Sequence, residues 1–134
     1  MSIKALIAIF VSFIMLVSAA HARSSVPIVN HENLPTVSAV GKAVSSEQVK
    51  KAIVMAATAK GWTTTLDQNG AIIATLIVKN KHTIVVTISY AEDKFSVLYR
   101  DSSNMNYRNG VIHPHYNSWV QTLVTAIRSE LGRV

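Results

Sequence analysis

Residues 82–90 read HTIVVTISY, and their alternation decides the fold. Successive side chains of a strand point to opposite sides, so Ile84, Val86, Ile88 and Tyr90 share one face. Thr83, Val85, Thr87 and Ser89 share the other. The first face is apolar and needs cover. On the N-terminal side, Ala71 to Lys79 is a second strand-like run, joined through an Asn80-Lys81 turn. Before it lies Thr-rich Trp62 to Asp67, joined through Asn69-Gly70, a strong hairpin signal. On the C-terminal side, Ala91 to Lys94 is a polar turn. It leads into Phe95 to Ser102, where Phe95, Val97 and Tyr99 share a face. Connections this short imply a four-stranded antiparallel meander.

Two helical segments flank the meander. Ser45-Ser46-Glu47-Gln48 opens the first, with capping-box spacing between Ser45 and Gln48. Val49, Ala52, Ile53, Ala56 and Ala57 recur at helical spacing until Gly61 stops the run. The second starts near Pro114 and carries an apolar stripe of Trp119, Val120, Leu123, Val124, Ile127 and Leu131. Two amphipathic helices and a half-apolar sheet hide their faces together. The fold expected for residues 45–134 is therefore a single α+β domain, α-β-β-β-β-α, with both helices on one sheet face.

The first 22 residues read as an address. Lys4 precedes an apolar run from Ala5 to Val17, and Ala20-His21-Ala22 is a small-x-small cleavage site. This is the three-part pattern of a secretory signal peptide cleaved after Ala22. The run is shorter than the ~20 apolar residues a membrane span requires, so no retained transmembrane helix is expected. Residues 23–44, with Pro27, Pro35 and Gly41, show no period and read as a flexible lead-in able to lie along the domain. The chain has no cysteine, which excludes a disulfide framework, a thiolate nucleophile and an N-terminal lipid anchor. An exported chain without cysteine fits the bacterial periplasm.

The net charge is +6. Inside a cell such a balance raises nucleic acid as a partner. Export argues against that and favours an envelope protein or an anionic envelope component, such as a lipid headgroup or lipopolysaccharide.

Candidate chemistry gathers between Tyr99 and Trp119. His113 and His115, joined by His82, are potential metal ligands, yet no recognised ligand spacing surrounds them. Asp101, Ser102 and His113 are the residue types of a hydrolytic triad, but no G-x-S-x-G elbow is present. Adjacent residues of a strand also face apart. No catalytic residue, metal or cofactor is therefore assigned. Asp101, Asn104, Tyr107, His113, His115, Tyr116 and Asn117 form the candidate binding set. Tyrosines offer contact area with a hydrogen-bonding tip. The same side chains could equally pin a long loop. Trp62 and Trp119 read as core anchors.

The run from Tyr99 to Tyr107 (YRDSSNMNY) and that from Ile112 to Val120 (IHPHYNSWV) resemble a family of small exported proteobacterial proteins of unknown function. Many of these are described as lipoproteins. Gly61-Trp62 and Lys81-His82 resemble its first strand start and central hairpin, so the likeness spans about residues 45 to 131. It implies an exported protein and brings no catalytic residues, and the missing cysteine departs from the lipid-anchored members. The function expected is a non-catalytic binding or interaction module of the cell envelope. The alternative is a small metal-dependent or hydrolytic enzyme using His113, His115 and Asp101. The first predicts an exposed group of Tyr and His side chains, the second a pocket on which they converge.

Overall fold

The computed structural model describes residues 25–37, 41 and 43–134. The expected signal peptide and cleavage site lie outside the described residues, as do residues 38–40 and 42.

Alternation in the sequence becomes alternation in burial. Strands β3 (Thr63–Leu66), β4 (Ile72–Val78), β5 (His82–Tyr90) and β6 (Lys94–Ser103) form the expected antiparallel meander. Ile72 and Ala74, then Ile84, Val86 and Ile88, then Phe95 and Val97 are all buried on one face. Helices α1 (Ser46–Ala59) and α2 (His115–Leu131) complete this core. They contribute Val49, Ile53 and Ala57 from α1, and Val120, Leu123, Val124 and Ile127 from α2. Each large side chain removed from water contributes roughly 1.5–3 kcal/mol. The opposite sheet face carries Thr75, Thr83, Val85, Thr87 and Leu98 only partly covered, and Ile77 is 60% exposed. The chain is thus α+β with two helices against an antiparallel sheet.

The local signals work as their chemistry requires. Ser45 Oγ accepts from Gln48 N (3.2 Å) while Ser45 N donates to Gln48 Oε1 (2.9 Å), a complete capping box. Gly61 follows α1 at φ 86°, a conformation that costs other residues energy. At the β3–β4 hairpin Asp67 Oδ1 accepts from Asn69 N (2.8 Å) and Ala71 N (2.9 Å). The β4–β5 turn centres one residue earlier than expected, with Lys79 and Asn80 at positive φ.

The strand count requires correction. The main sheet has five strands, in the order β2-β6-β5-β4-β3. Strand β2 (His31–Pro35) pairs antiparallel with β6 along the sheet edge. A second, two-stranded sheet joins β1 (Val26–Pro27) to β7 (Val111–Ile112). Residues 25–37 of the lead-in therefore lie along the domain and supply both added N-terminal strands. They lack a strand signature for a physical reason. β2 is an edge strand, where proline is tolerated, and its register slips between His31 and Leu34 at Asn33, φ 54°. Side-chain and backbone contacts hold it instead. Asn33 N donates to Ser96 Oγ (2.9 Å), Thr36 N to Asp93 O (3.1 Å), and buried Thr36 bonds Glu92 O through its hydroxyl. No helix among the described residues is long and apolar enough to cross a membrane.

Candidate functional site

The candidate residues collect at the end of the sheet where β5 begins, β6 ends and α2 starts. A bulge at Arg100 organises the approach. Tyr99 pairs with Val86, but Asp101, two residues on, pairs with Val85. The extra residue puts Asp101 on the solvent side with Val85 and Ser102 on the helix side with Ile84. Tyr99 OH then lies 2.8 Å from Ser102 Oγ. Arg100 turns outward and donates to Thr87 Oγ1 (3.2 Å).

The loop after β6 is built on asparagines. Asn104, Asn106 and Asn109 have φ of 62°, 55° and 50°, a region asparagine tolerates better than most side chains. Between them buried Met105 plugs the core, and its carbonyl accepts from His113 N (2.9 Å). Asn104 Nδ2 donates to Lys81 O (3.1 Å), and Asn104 O accepts from His82 Nδ1 (2.8 Å). Since a carbonyl only accepts, His82 Nδ1 is the donor of this bond, and in the neutral ring the free lone pair is on Nε2.

The structure divides the candidate set. Tyr116 is buried at 1% exposure, and that burial raises its phenol pKa well above the ordinary range, helped by Tyr99. Asn117 is committed to the lead-in, accepting from Val29 N (3.0 Å) and donating to Pro27 O (2.9 Å). Asn104 is committed to the loop. Asp101 accepts from the adjacent Ser102 N (2.8 Å) within β6. Asn104 and Asn117 thus pin backbone, Tyr116 packs in the core, and Asp101 bonds the next residue along its own strand. Tyr107 instead is 48% exposed and stacks on Tyr99 with ring centres 4.7 Å apart and planes 17° apart. Tyr99 packs edge-on against Tyr116 at 5.6 Å. Desolvation raises the Tyr99 pKa, an effect that its bond to Ser102 opposes.

His113 and His115 belong to a second cluster. Their rings meet edge to face at 4.7 Å, His82 lies 6.4 Å from His113, and Trp119 closes the group at 5.4 Å from His115 and 6.4 Å from His82. His113 Nδ1 accepts from His115 N (3.1 Å), so the neutral ring holds its proton on Nε2. Burial lowers the His113 pKa, and the neighbouring His115 and His82 lower it further. No carboxylate offsets them, and the one ion pair among the described residues joins Arg133 to Glu130. As they stand, no three histidine and acidic side chains among the described residues are placed to hold a metal ion.

The triad residues do not come together, because Asp101 sits on the solvent face of the sheet while His113 packs with His82 and His115. A groove of about 570 Å³ lies elsewhere, between the helices, lined by residues that include Ala59, Lys60, Thr122 and Arg133. Two participants were less legible than the rest. Trp119 shares the apolar stripe of α2 yet is only partly buried, with its ring beside those of His115 and His82. Tyr99 belongs to the polar-aromatic group the sequence shows, though not to the binding set, and its stack with Tyr107 gives it a supporting part there. Trp62, by contrast, is buried as expected.

No protein-family model, curated protein or solved structure matches the chain.

Proposed function

We propose that the chain is an exported, non-catalytic interaction module of the bacterial envelope, docking through the surface around Tyr107, His115 and Trp119. The observation that carries this reading is the half-exposed Tyr107 ring held flat on Tyr99. A stacked ring presents contact area with little rotamer freedom left to lose, the property that favours aromatic anchors at interfaces. The imidazole and indole cluster extends the same end of the molecule. Export to the periplasm rests on the leading charge, apolar run and cleavage motif of residues 1–22, and on the resemblance to small exported proteobacterial proteins. The partner suited to a basic chain, +6 in full and still positive once Lys4 is removed with the leader, is an envelope protein with an acidic surface or an anionic envelope component.

A crosslinking pull-down from cells expressing the full chain tests the proposal. The double variant Tyr107→Ala/His115→Ala runs beside the parent, with circular dichroism showing that both fold. At least a tenfold loss of a specific partner in the variant is expected. The same partners at the same yield in both, or no specific partner with the parent, would overturn the reading.

A further inference from the structure

We infer that the His113 imidazole is the N-terminal cap of α2 and makes the start of that helix an acid-sensitive switch. This goes beyond the docking role and does not depend on it.

A helix begins with backbone N–H groups that have no partner inside it, and a side-chain acceptor just before the first turn covers one of them. Pro114 is already helical (φ −54°, ψ −28°) and suits the first helical position, so the capping position falls to His113. There Nδ1 accepts from His115 N (3.1 Å), and the His113 carbonyl accepts from Tyr116 N (3.1 Å). Helix α1 is capped differently, by the Ser45 hydroxyl and the Gln48 amide, which accept at any pH near neutral. An imidazole nitrogen accepts only while it is unprotonated. A proton on His113 Nδ1 removes the lone pair that the His115 N–H uses. It also sets a positive charge at the positive end of the helix dipole.

The surroundings reinforce this. The start of β5 presents His82, its ring centre 6.4 Å away, and α2 presents His115 at 4.7 Å. The loop after β6 meets His113 through the Met105 carbonyl, which takes its backbone N–H, and β7 before it is apolar. Burial and the two neighbouring imidazoles hold the His113 pKa below the ordinary 6.5. The folded state therefore binds this proton less readily than the unfolded chain. Stability from the cap is complete above pH 6.5 and is lost as pH falls from there toward the lower folded value. The capped turn carries His115 of the docking end and Asn117, whose amide bonds Pro27 O and Val29 N. Acid thus weakens α2 where the lead-in and the imidazole cluster meet it.

Thermal unfolding of the full chain at pH 8 and pH 5 tests the inference, with His113→Asn and His113→Ala beside the parent. Asparagine caps at both pH values and alanine at neither. His31 titrates in all three chains and cancels. At pH 8 the alanine variant should melt about 4 °C below the parent and the asparagine variant should not. Between pH 8 and pH 5 the parent should lose about 4 °C more than either variant. A nuclear magnetic resonance titration reads the bond itself. His115→Gln keeps the backbone N–H that His113 accepts and removes the ring beside it. In that protein the amide of residue 115 should follow the His113 ring along one curve with its midpoint below 6.5, while the Gln48 amide stays in place. Equal losses in the parent and His113→Asn would overturn the inference, as would an alanine variant as stable as the parent at pH 8. So would a residue 115 amide that does not follow the His113 ring.

Discussion

At the scale of the residue, the seven candidates share one neighbourhood but not one task. Asn117 shows the difference. Its amide spans the lead-in as a backbone group would, accepting from Val29 N and donating to Pro27 O. Asn117→Ala removes both bonds and leaves their partners seeking water. It should destabilise the domain by about 1–3 kcal/mol, read as the midpoint shift in urea unfolding. His115→Ala, on an exposed ring with no side-chain hydrogen bond, should stay within about 0.5 kcal/mol of the parent. Equal effects would mean that the pinning roles are wrongly divided. The sequence could name both residues but not separate them. Asn117 reveals its role only through a contact 88 positions away, and no local pattern encodes such a contact.

The elements differ in how far their own residues specify them. β5 and the flanking helices were legible because one face must leave water, and period 2 or 3.6 records which one. β1 and β2 were not, because edge strands held by asparagine, serine and threonine need no apolar period. Burial and the charge of Arg128 both lower the pKa of His31 on β2. The folded state therefore binds this proton less readily than the unfolded chain, whose histidine titrates near 6.5. Stability from this source is complete at pH values above 6.5. It is lost as pH falls from there toward the lower folded value. Between pH 7.5 and pH 5 the parent should lose more of its melting temperature than His31→Gln does. If the two lose the same amount, His31 is not a source of acid sensitivity.

At the scale of the whole molecule, one sheet face is sealed by two helices and the lead-in runs along an edge. This leaves two surfaces free for contact: the threonine-rich outer sheet and the aromatic and imidazole end. The second was partly visible in the sequence as the Tyr99–Trp119 segment. The contribution of His82 was harder to place, because only the meander brings position 82 beside positions 113 and 119. The groove between the helices is lined by alanine, threonine and serine together with Lys60, Gln121, Glu130 and Arg133, and offers no aromatic anchor. Docking is therefore proposed at the end of the sheet and not at the helical layer.

Photo-crosslinking in living cells tests that assignment most directly. A photoreactive amino acid would replace Tyr107 at the docking end and Lys51 on exposed α1 as the control. The account predicts a discrete crosslinked species from position 107 and none from position 51. Crosslinks of equal yield from both positions, or from position 51 alone, would contradict it.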